Sequence, residues 1–201
     1  MGEGLGNWGI NLVLCAVSSM GCSTKSGDRT PPVAVFKEIS MQIAVLKERR
    51  VGEFRVAGSP DSVKKFVAAG CKVAVETGAG AGSQISDDAF KDVGAIIAPD
   101  AATAAGSADL VLKIQKPMTA AEGTDEVGYL KSGSFLMAHL QALSDKPLME
   151  ALAKQGVTTF ALELMPRISR AQAMDILSSQ SNLAGYKAVV DAASTFGRAM
   201  P

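Results

Sequence analysis

The chain has 201 residues, 47% of them hydrophobic, enough for one α/β domain with a real core and an appendage. Lysine plus arginine equals aspartate plus glutamate at 20 each, the formal net charge is zero, and aromatic residues make up 5%. That balance argues against a nucleic-acid partner, which calls for a basic face or a supply of stacking rings.

The first stretch, residues 1–40, differs from the rest. It is rich in Gly and Ser, carries Pro31-Pro32 and shows no amphipathic period. Its uncharged run from Trp8 to Cys22 is shorter than the ~20 residues a membrane span needs. Glu3 and the lack of Lys or Arg ahead of that run deny it the basic start of a signal peptide. Ser18-Ser19-Met20-Gly21 is a poor lead-in for lipoprotein processing at Cys22. Met41 is read as the natural start, and 1–40 as a disordered or non-native extension; an ordered arm is the alternative. The three cysteines, Cys15, Cys22 and Cys71, form no CxxC pair, so neither a zinc site nor a disulfide framework is expected. A reduced cytosolic compartment follows.

From Met41 strands and helices alternate. MQIAVLKE (41–48) reads as a strand, and Pro60 to Gly70 as a helix capped by Ser59. CKVAVETG (71–78) is a strand, SDDAFKDVG (86–94) a helix, AIIAPD (95–100) a strand and AATAAGSA (101–108) a short helix. DLVLKIQKP (109–117) and SFLMAHL (134–140) are strands. KPLMEALAKQG (146–156) is a helix, VTTFALELMP (157–166) the last strand, and a long helix runs from about Ala171 to about Gly197. Six strands spaced by helices predict an α/β fold: a mostly parallel sheet with helices on both faces. Ligands of such sheets gather beyond the carboxyl ends of the strands.

Several segments there invite a chemical reading. ETGAGAGSQ (77–85) places Gly78, Gly80 and Gly82 after a strand. The spacing is G-x-G-x-G, not G-x-G-x-x-G, and a tight strand-to-helix turn is the better reading. Lys47, Arg49, Arg50 and Arg55 could grip an anion; paired with Glu48 and Glu53 they are a solvated charged loop, and the sequence favours the latter. His139, the single histidine, could move a proton, but its apolar neighbours favour a structural role. One histidine builds no nucleophile system, and no metal-ligand cluster stands out.

The run PRISRAQAMDILSSQSNLAGY (166–186) differs in kind. Arg167 follows a strand, and Gln172, Asp175 and Ser178 recur at three-residue spacing, which on a helix puts them near one face. So dense a set of donors and acceptors suits a polar ligand, or a partner that carries one.

This run closely resembles the alpha subunit of proton-translocating NAD(P) transhydrogenases, in their NAD(H)-binding first domain. KERR-GE-RVA-SP-SVKK, VE-GAG-G, PMTA-EGTDEV (117–127) and LM-HL-AL extend the resemblance over 41–201. Alanine dehydrogenases, the runner-up, are similar around Arg55 and His139. Their K-x-K-E-P lysine is replaced here by Gln115, in Lys113-Ile114-Gln115-Lys116-Pro117, which removes the charge that would polarise a keto acid. A non-catalytic dimerisation module is a third possibility, through the apolar Leu183, Ala184, Val189, Val190 and Phe196 of the long helix.

The resemblance implies direct hydride transfer between NADH and NADP+, coupled to proton translocation in a separate membrane part. It divides the chain into an N-terminal-type α/β domain (41–166) and a nicotinamide-site loop with a connecting helix (167–201). It implies Gln172 and Asp175 as catalytic residues, Arg167, Asp175 and Ser178 as NAD(H)-binding residues, and no metal. NADP(H) is expected on a partner domain or beta subunit, and the chain is expected as a homodimer held at the cytoplasmic side of the inner membrane by its partner subunits. In the family a Rossmann domain with a glycine-rich phosphate loop follows the long helix, and nothing of it precedes Pro201. The chain is therefore expected to be a fragment, inactive alone, with weak NAD(H) binding.

Overall fold

The computed structural model describes residues 41–198. The extension expected over 1–40 lies outside the described residues, as do 199–201. Six strands form one sheet: β1 (Gln42–Val45), β2 (Lys72–Glu76), β3 (Ile96–Ala98), β4 (Leu110–Gln115), β5 (Phe135–His139) and β6 (Thr158–Ala161). Their spatial order is β3-β2-β1-β4-β5-β6, and all five pairings are parallel. The helices are α1 (Pro60–Ala68), α2 (Asp87–Asp92), α3 (Ala101–Gly106), α4 (Lys146–Gln155) and α5 (Ile176–Thr195).

The strand period of two sorts side chains to opposite faces of the sheet. Ile43 and Val45 point one way, into a core with Val63 and Phe66 of α1, Phe90 of α2, Val73 and Val75. Ala44 and Leu46 point the other way, against Ala101, Ala104 and Ala105 of α3 and Leu148 and Leu152 of α4. Helices thus cover both faces. The central strands β1 and β4 are almost continuously apolar and buried, as strands sandwiched between two helical layers must be. At the edges Ile96 of β3 and Thr158 of β6 are exposed.

The helix starts are written locally. The Ser59 hydroxyl accepts the Ser62 amide at 3.2 Å, with Pro60 in the first turn of α1. Asp100 accepts the Thr103 amide at 2.7 Å, and Asp145 accepts that of Leu148 at 3.2 Å. Gly156 closes α4 at φ +75°, a left-handed conformation open to glycine without strain.

Three expected boundaries move. The apolar pattern places the first strand at 41–48, but its ladder stops at Val45. Beyond it the Glu48 side chain accepts the Ile114 amide at 2.6 Å and the Gln115 amide at 3.4 Å, the place where a neighbouring strand would bond. The last strand ends at Ala161, because Glu163 turns back to accept the Leu140 amide at 3.0 Å and the Ala142 amide at 2.8 Å. The long helix begins at Ile176, not near Ala171; Gln172–Met174 form a separate 3-10 turn.

Inside the sheet's carboxyl end lies the buried Lys113, 2.9 Å from Glu126 Oε1 and 3.5 Å from Glu48 Oε2. Lys113→Ala leaves two buried carboxylates without their shared cation. It is expected to lower stability by about 3–5 kcal/mol in urea denaturation. A loss below about 1 kcal/mol would show that the cluster is not structural.

Candidate functional site

The strand order reverses between β1 and β4: the chain winds outward from β1 to β3, then returns to lay β4 on the other side. The crevice beyond such a reversal is where open parallel sheets usually bind ligands. Here the chain fills it with its own charges. Arg49 Nη2 lies 2.5 Å from Glu76 Oε1, and its Nη1 donates to Glu126 Oε1 at 3.1 Å. Glu126 in turn meets Lys113 at 2.9 Å and accepts the Met118 amide at 2.8 Å. Burial pushes the Glu48 carboxyl above its ordinary range, with Lys113 and the amides of Ile114 and Gln115 only partly offsetting it.

Arg55 is occupied in the same way. Its Nε donates to Glu53 Oε1 at 2.7 Å and its Nη2 to Glu53 Oε2 at 2.5 Å. Gln115 Nε2 adds a bond to Glu53 Oε2 at 2.9 Å. These bonds, those from Arg55 foremost, hold the Glu53 carboxyl down at about 2. His139 lies in register beside Gln115. The residues that would form a keto-acid pocket are therefore neighbours, but Glu53 sits in the arginine fork where a substrate carboxylate would bind. The basic loop pairs internally as expected, although Glu48 goes to Lys113 and the backbone rather than to an arginine of that loop. Arg50 finds Glu122 at 2.9 Å.

The glycine segment is a tight turn with no space for a phosphate. A Cβ on Gly80 would fall 2.6 Å from the Ile85 carbonyl oxygen, and one on Gly82 would fall 2.6 Å from that of Phe54. The glycines admit neighbouring backbone, not a ligand.

The polar arm after β6 is organised around one carboxylate. Asp175 is the N-cap of α5, its Oδ1 accepting the Leu177 amide at 2.9 Å. Ser178 Oγ donates to Asp175 Oδ2 at 2.6 Å, and Arg167 Nε lies 3.9 Å from the same oxygen. Arg167 keeps 72% of its side chain exposed. The structure thus brings Arg167, Asp175 and Ser178 together. Gln172 is not on their helical face: it projects exposed from the 3-10 turn before the cap. The backbone folds that way because Asp175 takes the N-cap position, leaving the preceding residues outside the helix. Along β6 an open groove of about 340 Å³, lined mainly by apolar residues including Phe160, Leu162 and Leu164, ends at Met165 and Pro166 beside the arm. Glu53, Glu163 and Gln180 carry interactions that the sequence reading does not assign.

A family model described as alanine dehydrogenase/PNT, N-terminal domain, matches residues 44–184. The chain belongs to this family. In Rhodospirillum rubrum, the first portion of the split NAD(P) transhydrogenase alpha subunit is 61% identical over 161 residues, 80% of this chain and 42% of that protein. The crystal structure of transhydrogenase from Sinorhizobium meliloti aligns with a TM-score of 0.74 at 45% identity, covering 80% of this chain and 46% of that one. Alanine dehydrogenase 1 of Staphylococcus aureus (strain Mu50) is 34% identical over 150 residues, 75% of this chain and 38% of that protein. The transhydrogenase match is the stronger, in line with Gln115 and the self-occupied Arg55. The chain spans less than half the length of these relatives.

The Ser178 hydroxyl, ahead of the Leu177 amide and the more distant Arg167, holds the Asp175 carboxyl below its ordinary range against the opposing effect of desolvation. Because the folded value is depressed, this carboxylate supports the helix start fully above the ordinary aspartate range and loses that role as pH falls through the folded value. In Ser178→Ala the Asp175 carboxyl is expected to titrate closer to an ordinary aspartate, followed by carboxyl-carbon NMR. An unchanged titration would remove Ser178 from the cluster.

Proposed function

We propose that this chain supplies the nicotinamide side of an NAD(H) site in a proton-translocating NAD(P) transhydrogenase. The observation that carries this reading is the meeting of Arg167, Asp175 and Ser178 at one carboxylate, with Gln172 exposed beside them. Its support outside the site is the 61% identity to a portion of a transhydrogenase alpha subunit.

The donor set suits a nicotinamide. A carboxamide offers N–H donors and a carbonyl acceptor. The largely exposed Arg167 guanidinium has donors to spare for the carbonyl. A carboxylate has about four acceptor positions, and Asp175 spends them on Leu177, Ser178 and a long contact to Arg167. One acceptor is left for an N–H of the carboxamide or a ribose hydroxyl. When bound, NAD(H) supplies the hydride that passes to NADP+ on a partner domain. The chain's own task is positioning: Arg167, Asp175 and Ser178 orient the ring and ribose, and Gln172 faces the incoming NADP(H) domain. Such chemistry needs alignment and exclusion of water rather than a general base, consistent with an arm that contains no histidine.

The adenine and pyrophosphate need contacts beyond this arm. The crevice at β1 and β4 is closed by ion pairs and the glycine turn by backbone, so neither offers a phosphate cradle. Residues 41–198 are therefore read as holding the nicotinamide end of the cofactor only weakly when alone. In this reading the NADP(H)-binding beta subunit and a membrane domain are the partners, and they keep the chain at the cytoplasmic side of the inner membrane. Among the described residues no helix is long and apolar enough to cross a membrane. Exposed Leu183, Tyr186, Val189 and Val190 on α5 support a protein contact there, with a second copy in a homodimer or with a partner domain.

Gln172→Asn keeps the amide but withdraws it by one methylene. In an assembly reconstituted with the NADP(H)-binding partner it is expected to slow hydride transfer about ten- to a hundred-fold at unchanged NAD(H) affinity. Single-turnover kinetics and isothermal titration separate the two quantities. Wild-type transfer rates would remove Gln172 from the site.

A further inference from the structure

The helix that carries Asp175 and Ser178 is poorly held by packing. From Ile176 to Thr195 none of its residues is buried, and all of 180–195 are exposed. A helix without a buried face lacks the hydrophobic anchor that normally fixes its direction. Its direction must then come from its cap and from polar contacts with the domain.

One such contact joins distant parts of the chain. Arg55 Nη1 donates to Gln180 Oε1 at 2.8 Å, across 125 residues of sequence. Arg55 itself is firmly held: Glu53 takes two parallel N–H bonds from its guanidinium at 2.7 and 2.5 Å, and Glu53 Oε1 also accepts the Arg55 backbone amide at 3.1 Å. Glu53 is tied in turn to Gln115, at the end of β4, at 2.9 Å. A continuous relay therefore runs from the sheet through Gln115, Glu53 and Arg55 to Gln180. Gln180 lies two residues beyond Ser178 and five beyond Asp175. The fork geometry matters: two guanidinium nitrogens face Glu53 while the third faces the helix, which a lysine ammonium on a flexible stem does not reproduce.

We infer that Arg55 is a positioning residue for hydride transfer. Clamped by Glu53, it holds Gln180 and thereby sets the direction of α5 and the placement of Asp175 and Ser178. This role rests on the nicotinamide reading of the arm. Arg55 touches neither cofactor nor reacting atoms; it acts through the helix.

The test begins with hydrogen exchange on the full chain, followed by mass spectrometry over residues 176–182. Arg55→Met and Gln180→Leu are each expected to speed exchange there about tenfold, the order set by losing a hydrogen bond to a charged group. The double variant is expected to show the same tenfold, not a hundredfold, because both substitutions remove one interaction. Gln180→Glu, which gives Arg55 a charged acceptor, is expected to slow exchange below wild type, and to have no such effect in the Arg55→Met background. Arg55→Lys is not expected to restore protection. Protection of β1 and β4 is expected to stay at wild-type level in Gln180→Leu, which separates the helix contact from general stability. Multiplying effects, or no effect at 176–182, would overturn the proposal.

The same variants are then placed in the assembly with the NADP(H)-binding partner. Slowed hydride transfer in both Arg55→Met and Gln180→Leu, about tenfold, supports the positioning role. If Gln172→Asn slows transfer while both of these leave it at wild-type rate, the contact is structural only and the positioning role is overturned. If none of the three affects transfer, the nicotinamide reading itself falls and takes the positioning role with it.

Discussion

Five charged side chains at the carboxyl ends of the central strands decide what this domain can hold. Glu48, Arg49, Glu76, Lys113 and Glu126 converge where the strand order reverses, each within bonding distance of another member. Each ion taken from water must be compensated by partners in good geometry. The cluster satisfies that demand by closing on itself: Lys113 is shared by two carboxylates, and Arg49 by two. Amides of Lys47, Ile114, Gln115 and Met118 fill remaining acceptor positions. The usual ligand crevice of a parallel sheet is thus converted into structure. The adjacent arginine, Arg55, is filled by Glu53 on the same principle.

Closing the crevice displaces the candidate site to the edge of the sheet. There the chain leaves β6, turns at Glu163, and enters α5 through the Asp175 cap. Glu163 belongs to this arrangement. Burial raises its carboxyl, but the amides of Ala142 and Leu140 outweigh that and keep it below the ordinary range, so it stays charged and pins the β5 and β6 ends together. The arm therefore starts from a fixed point. Beyond it little apolar packing is available, and polar contacts such as Arg167 to Asp175 and Arg55 to Gln180 define its shape. An exposed arm on a rigid base suits a site where two domains must meet and part again.

Much of this is legible in the amino-acid order. The alternation of Ile43 and Val45 with Ala44 and Leu46, the caps Ser59, Asp100 and Asp145, and the glycine stop at Gly156 are local signals, and the fold follows them. The residues 167, 172, 175 and 178 also stand out, but their mutual placement does not. Helical spacing suggests one face; the Asp175 cap instead splits Gln172 from Ser178. An aspartate directly before the apolar Ile176-Leu177 pair is itself an N-cap signal, and is enough to place the helix start correctly. The strand ends escape the sequence for a different reason. Glu48 truncates β1 by bonding amides 66 and 67 residues away, and Glu163 ends β6 through amides 21 and 23 residues back. No local pattern encodes such contacts, and the same holds for Arg55 and Gln180.

The nicotinamide, in this account, meets the domain at the arm after β6 and not in the crevice between β1 and β4. Transferred-saturation NMR with NADH, on isotopically labelled chain in the reconstituted assembly, addresses that directly. The account predicts contacts at Arg167, Asp175 and Ser178, with none at Arg49, Arg55, Lys113 or Gln115. Contacts confined to the latter four would contradict it.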